Sequence, residues 1–123
     1  MTPETIDQYR SFIDGLFERT KQRKLKWSIY DDLTIETEID GIPISLSEIK
    51  PDGERKSTDY AIGIYNESGE KIESFTDMDL YVDDLSDHEL NYWEKMEQIL
   101  FLARRQASGA AGLLDRLIAK LAG

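Results

Sequence analysis

The stretch SDHELNYWEKMEQILFLARRQASGAAGLLDRLIAKLAG, residues 86–123, decides how the chain is read. Ser86 and Glu89 form an S-x-x-E capping box, in which the serine oxygen accepts a free backbone N–H and the glutamate reaches back to the N–H of Ser86. Asp87 and Glu89 add negative charge at the positive end of the helix dipole. Beyond the cap, Leu90, Trp93, Met96, Leu100, Ala103, Ala107, Ala110 or Ala111, Leu114, Leu117 and Leu121 recur every three or four positions. That spacing keeps one helical face apolar at a period near 3.6. Residues 99–103 are apolar without interruption, which puts this part of the helix at the centre of the domain. An unbroken helix from Asp87 to Leu121 would be about 50 Å long at roughly 1.5 Å per residue, long for so small a chain. Ser108, Gly109 and Gly112 therefore read as a kink or short break between two helices. The alternative is a close-packing site, where small side chains let another backbone approach and the chain self-associates through Ser108, Gly109 and Gly112.

Working outward, the 123 residues make one domain, large enough to bury a core without staples. There is no cysteine, which excludes disulfide scaffolds and thiolate metal sites and fits a reducing compartment. Pro3, Glu4 and Asp7 stand where a secretory signal would need positive charge and then an apolar run. No apolar run is long enough to span a bilayer, so the expected location is cytoplasmic. The net charge of −10 is uneven. Both ends of the chain are mildly positive, and the middle, Trp27 to Glu97, holds the acidic excess. Such a field repels nucleic acid and anionic lipid and favours a basic partner; it also simply confers solubility.

Taken in order, Thr2-Pro3 is a helix start, with a capping hydroxyl followed by proline at the first helical position. Ile6, Tyr9, Phe12, Ile13, Leu16, Phe17 and Thr20 predict a helix to about Gln22, with basic residues crowding its C-terminal end. Trp27, Ile29 and Tyr30 either start a strand or seal the junction between helix and sheet. Leu33, Ile35, Thr37 and Ile39 then alternate with polar residues, and Asp40-Gly41 supplies the positive-φ pair of a type I′ hairpin turn. Ile42, Ile44 and Leu46 return. Pro43 lacks a ladder N–H, which predicts an edge strand or an outward-facing position. Pro51-Asp52-Gly53 is a turn. A second hairpin follows, with Tyr60, Ile62 and Ile64 on one face and a turn at residues 66–69. Ile72, Ser74 and Thr76 return, with Phe75 on the opposite face. The resulting expectation is an α+β fold: helix, an antiparallel four-stranded meander of two hairpins, then a long or kinked helix, both helices on one face of the sheet.

Chemical motifs are few. Asp77, Asp79, Asp83, Asp84 and Asp87 invite comparison with a calcium loop, but Val82 stands where that loop needs glycine and His88 where it needs glutamate. His88 is the only histidine, so a zinc site lacks its nitrogen and sulfur ligands. The glycine-rich phosphate cradles of nucleotide-binding proteins are missing. No metal, cofactor or catalytic set is therefore assigned. Arg104 and Arg105 follow the most apolar part of the last helix, where they pair with acidic neighbours or bind an anionic ligand. Tyr65, Tyr81 and Tyr92 fall off the core stripes, and tyrosine is enriched at binding surfaces.

Two function classes remain. The first is a non-enzymatic, acidic protein-interaction domain, with an inhibitor or immunity-type protein as one form of it. It would meet a basic partner through Tyr65, Tyr81, Asp83, Asp84 and Tyr92. The second is a small-ligand-binding or hydrolytic domain with a pocket between sheet and helices, lined by Trp27, Tyr30, Arg104 and Arg105.

Overall fold

The computed structural model describes residues 2–53, 57–81 and 90–123. Helix α1 (Pro3–Lys21) starts where Thr2 accepts the Thr5 N–H on its side chain, with proline at the first helical position. Five strands follow: β1 (Ser28–Ile29), β2 (Thr34–Ile39), β3 (Ile42–Ile49), β4 (Asp59–Tyr65) and β5 (Lys71–Thr76). They pair antiparallel in the order β1-β2-β3-β4-β5. A single 3-10 turn (Asp77–Leu80) leaves β5. Helices α2 (Tyr92–Ala107) and α3 (Ala110–Ala122) complete the chain.

The expected α+β architecture holds, with differences that have physical causes. The sheet has five strands, not four, because Ser28 and Ile29 pair with Glu36 and Ile35 along the outer edge of β2. Asp40 and Gly41 both take positive φ, as the two-residue turn requires. Pro43 does not mark an edge strand: β3 is the middle strand of the five. The proline is tolerated because it sits at the hairpin end, opposite Glu38, just outside the β4 ladder, which begins at Ile44 opposite Ile64.

The second hairpin corrects the predicted faces. A register shift between Ile64 and Tyr65 pairs Ile64 with Glu73 but Tyr65 with Lys71. Ile72 is left over and exposed. Phe75 instead lies opposite Ile62, and both are buried on the same face. One irregularity of this kind exchanges inside for outside on the strand.

The core fills the space between that face and the two helices. Ile35, Leu46, Ile62 and Phe75 from the sheet meet Ile13, Leu16 and Phe17 of α1 and Met96, Ile99, Leu100 and Ala103 of α2. Tyr9 stacks on Phe75 with centroids 4.1 Å apart. Trp27 joins the layers: its ring N–H donates to Thr20 Oγ1 at 3.2 Å, and its backbone N–H donates to Gln106 Oε1 at 3.1 Å.

The C-terminal stretch divides. Asn91 caps α2, accepting the Glu94 N–H at 2.7 Å. The predicted box at Ser86 and Glu89 lies outside the described residues. Gly109 takes a left-handed φ of 76° and ends the run, so the break expected near Ser108, Gly109 and Gly112 is present. Among the described helices, α1 and α2 cover the sheet. Leu114, Leu117 and Leu121, predicted to continue the buried stripe, are exposed, and α3 has no buried residue. The turn at Gly109 carries α3 off the domain.

The register of β5 sets the cost of truncation. Phe75→Ala should cost about 3–5 kcal/mol, whereas Ile72→Ala should stay within about 0.5 kcal/mol. Urea denaturation of both variants checks this, and equal losses would place Ile72 in the core.

Candidate functional site

The two faces of the sheet offer different chemistry. On the open face, the residues between the core positions are small or polar. Ser28, Glu36, Ser45, Gly63 and Ser74 form one row across the five strands, and Thr34, Ser47, Ala61 and Thr76 form the next across β2 to β5. Thr34 and Ser47 share a hydroxyl hydrogen bond of 2.9 Å. Tyr65 reaches back over Gly63 to Ser45, with the two hydroxyls 3.1 Å apart. Glycine is needed there, since a Cβ at position 63 would stand 2.8 Å from Ser45 Oγ and 2.9 Å from the Tyr65 hydroxyl. The result is a low floor with tyrosines at its sides. It forms a groove of about 430 Å³ lined by Tyr30, Thr34, Glu36, Ser45, Ser47 and Tyr65, among others. Glu36 and Glu38 give this side negative charge, and Lys71 Nζ lies 5.9 Å from the centroid of the Tyr65 ring.

A second cleft, also of about 430 Å³, lies where the C-terminal half of α2 passes the sheet. Ile29, Glu48, Tyr60, Glu97, Arg104 and Arg105 line it. Its charged groups answer one another. Arg104 Nη2 donates to the Asp32 carbonyl at 2.8 Å and lies 3.5 Å from Glu48 Oε2. The Tyr60 hydroxyl donates to Glu97 Oε2 at 3.4 Å. Burial, then the charges of Glu97 and Glu48, push the Tyr60 phenol up to about 12.

The residues predicted to form one ligand pocket do not converge. Trp27 is sealed in the core, Tyr30 stands exposed by the open face, and only Arg104 and Arg105 share a cleft. The predicted partner-binding tyrosines also divide. Tyr65 lies on the open face. Tyr81 and Tyr92 flank Arg10 on the helix side: Arg10 Nη2 donates to the Tyr81 carbonyl at 2.9 Å, and its guanidinium sits 6.0 Å from the Tyr92 ring centroid. Tyr92 donates its hydroxyl to Asp14 Oδ2 at 3.1 Å. Burial and the Asp14 charge push its phenol up to about 12. Asp83 and Asp84 lie outside the described residues, as do Asp87 and His88.

The two described acids of the calcium-like run serve the backbone. Asp77 Oδ1 accepts the Tyr60 N–H at 2.8 Å, and Asp79 Oδ2 accepts the Thr76 N–H at 2.9 Å. Among the described residues, no group of three metal-ligating side chains gathers. The groove residues Thr34, Glu36, Ser45 and Ser47 escaped the sequence-based site assignment. Their signal was present as the polar half of the strand alternation, but nothing in it ranks one wet face above another.

Comparisons with protein-family models, with curated proteins and with solved structures found no match.

Asp77 has a measurable consequence. Burial raises its pKa above the usual carboxylate range, and the neighbouring Asp59 adds to this, while the hydrogen bond from the Tyr60 N–H works against it. A raised folded-state pKa means that the folded protein holds more protons than the unfolded chain above about pH 4. Stability should therefore fall as pH climbs from there through the folded-state value. Asp77→Asn keeps an oxygen for the Tyr60 N–H and removes the titration. Its advantage over the parent in urea midpoint should be smallest near about pH 4 and grow toward neutrality. A gap that shrinks with rising pH would overturn this assignment.

Proposed function

We propose that the chain is a protein-interaction domain that receives a basic segment of a partner on the open face of its sheet. The observation that carries this reading is the groove in which Tyr30 and Tyr65 flank a hydroxyl-lined floor containing Glu36. Tyrosine rings attract cations through their faces, and a carboxylate beside them adds direct charge. The net charge of −10 strengthens the attraction at longer range and speeds encounter. A hydroxyl floor also suits a polypeptide, since Thr34, Ser45 and Ser47 offer both donors and acceptors. An inhibitor or immunity-type protein for a basic partner is the form of this reading that the charge best supports. Among the described residues, no helix is long and apolar enough to cross a membrane.

The alternative reading is a small-ligand site. It is supported by the cleft lined by Tyr60, Arg104 and Arg105, where an anionic ligand would have to displace Glu48 from Arg104.

Titration with a lysine- and arginine-rich peptide, followed by amide chemical shifts, separates the two. The expected outcome is perturbation at Tyr30, Glu36, Ser45 and Tyr65, weakened by salt and lost in a Tyr30→Ala, Glu36→Lys double variant. Perturbations confined to Glu48, Tyr60 and Arg104, or equal binding of a glutamate-rich peptide, would refute the groove reading.

A further inference from the structure

Helix α3 is far more apolar than a surface helix needs to be. Its 13 residues include three charged ones, Asp115, Arg116 and Lys120. Leu113, Leu114, Leu117, Ile118 and Leu121 are 46% to 88% exposed. A helix apolar around most of its circumference belongs inside an assembly.

The spacing says what kind of assembly. Ala110, Leu114, Leu117 and Leu121 follow one another in steps of four, three and four. The same alternation runs back through Ala107, Ala103, Leu100 and Met96. Within α2 that seam is covered by the domain, where Met96, Leu100 and Ala103 are buried. Beyond the left-handed Gly109 it continues into solvent. A seam with steps of three and four is the face that one helix presents to another in a coiled coil.

We propose that α3 pairs with α3 of a second copy of this chain, the two helices running antiparallel. The area suits a weak pair. At roughly 150 Å² for each fully exposed large side chain, the five residues offer on the order of 450 Å² per copy. One partner helix covers the seam and only part of Leu113 and Ile118, so two copies bury at most about 900 Å² of apolar side chain, the size of a weak, transient interface. That predicts a reversible dimer. Charge selects the direction. Taking Asp115, Arg116 and Lys120 from the 25 acidic and 15 basic residues leaves 24 and 13, a charge of −11 on the rest of the chain. A parallel pair would bring two such bodies together at one end. An antiparallel pair separates them by the helix length, about 20 Å, more than two screening lengths of about 8 Å. The same charge argues against an anionic bilayer, for which two cations on α3 are a weak anchor. Helix α3 shares no residue with the open-face groove, so the pairing stands or falls apart from the groove reading.

The test is sedimentation velocity of the full chain from low to high micromolar concentration. The expected result is a monomer–dimer equilibrium. Leu117→Glu should raise its dissociation constant more than about tenfold, because the charge would be buried at the seam. Leu121→Glu, at the most exposed position of the seam, provides a second variant should the first disturb folding. The chain lacks cysteine, so orientation is read from introduced ones. Leu114→Cys and Leu117→Cys proteins, mixed and oxidised, should cross-link to each other faster than either does to itself. A monomer at all concentrations, or a dimer indifferent to both glutamate variants, would overturn the proposal. So would preferential self-cross-linking, or a monomer that sediments with phosphatidylglycerol vesicles.

Discussion

The contact on which the rest depends is the packing of α1 and α2 against each other and against one face of the sheet. Met96, Ile99, Leu100 and Ala103 share one buried core with Ile13, Leu16 and Phe17 and with Ile35, Leu46 and Ile62. Hydrophobic burial is non-directional, so it brings these layers together without setting their alignment. Alignment comes from polar ties at the margins. Trp27 binds the end of α1 and the end of α2 through Thr20 and Gln106. Lys95 joins Asp14 at 2.7 Å, and Tyr92 donates to the same carboxylate. Trp93 donates its ring N–H to the Thr58 carbonyl at 2.7 Å, anchoring the start of α2 at the entrance to β4.

With one sheet face consumed by this core, the other remains wet, and its composition follows. An exposed sheet face without large aliphatics avoids unwanted association, and the serines, threonines and Gly63 of the central strands meet that requirement. The same small side chains keep the floor low enough for Tyr65 to lie across it and for a groove to form beside Tyr30. Glu36 and the aromatic sides of the groove thus lie on one surface. The apolar surplus is placed elsewhere, on α3, held off the domain by one left-handed residue. Solvated sheet face and oily helix are segregated.

Much of the fold was legible in contiguous residues. Thr2-Pro3 marked the first helix, Asp40-Gly41 the first hairpin turn, and the glycines after Ser108 the break between the last two helices. Each signal is local, because a cap or a positive-φ turn needs only the residues it contains. The candidate site was less legible. Tyr65 was singled out, but Tyr30 was assigned to the wrong side of the sheet and Trp27 to a pocket rather than the core. The face on which an aromatic residue lies depends on the pairing of its strand, and a two-residue strand such as Ser28–Ile29 leaves almost no pattern to read.

By itself, the sequence determined the first helix, the two hairpins, the helical last third, the acidic balance and the period of the last stripe, since all of these are properties of neighbours along the chain. Tertiary structure alone decided three further matters. It turned Phe75 inward and Ile72 outward, because a slip of one residue against β4 reverses the strand. It made β3 the middle strand despite Pro43, because the proline lies outside the β4 ladder. It also divided one continuous apolar stripe into a buried half and an exposed half. The period of such a stripe shows that it needs a partner, but only the direction taken at Gly109 decides whether the domain provides one.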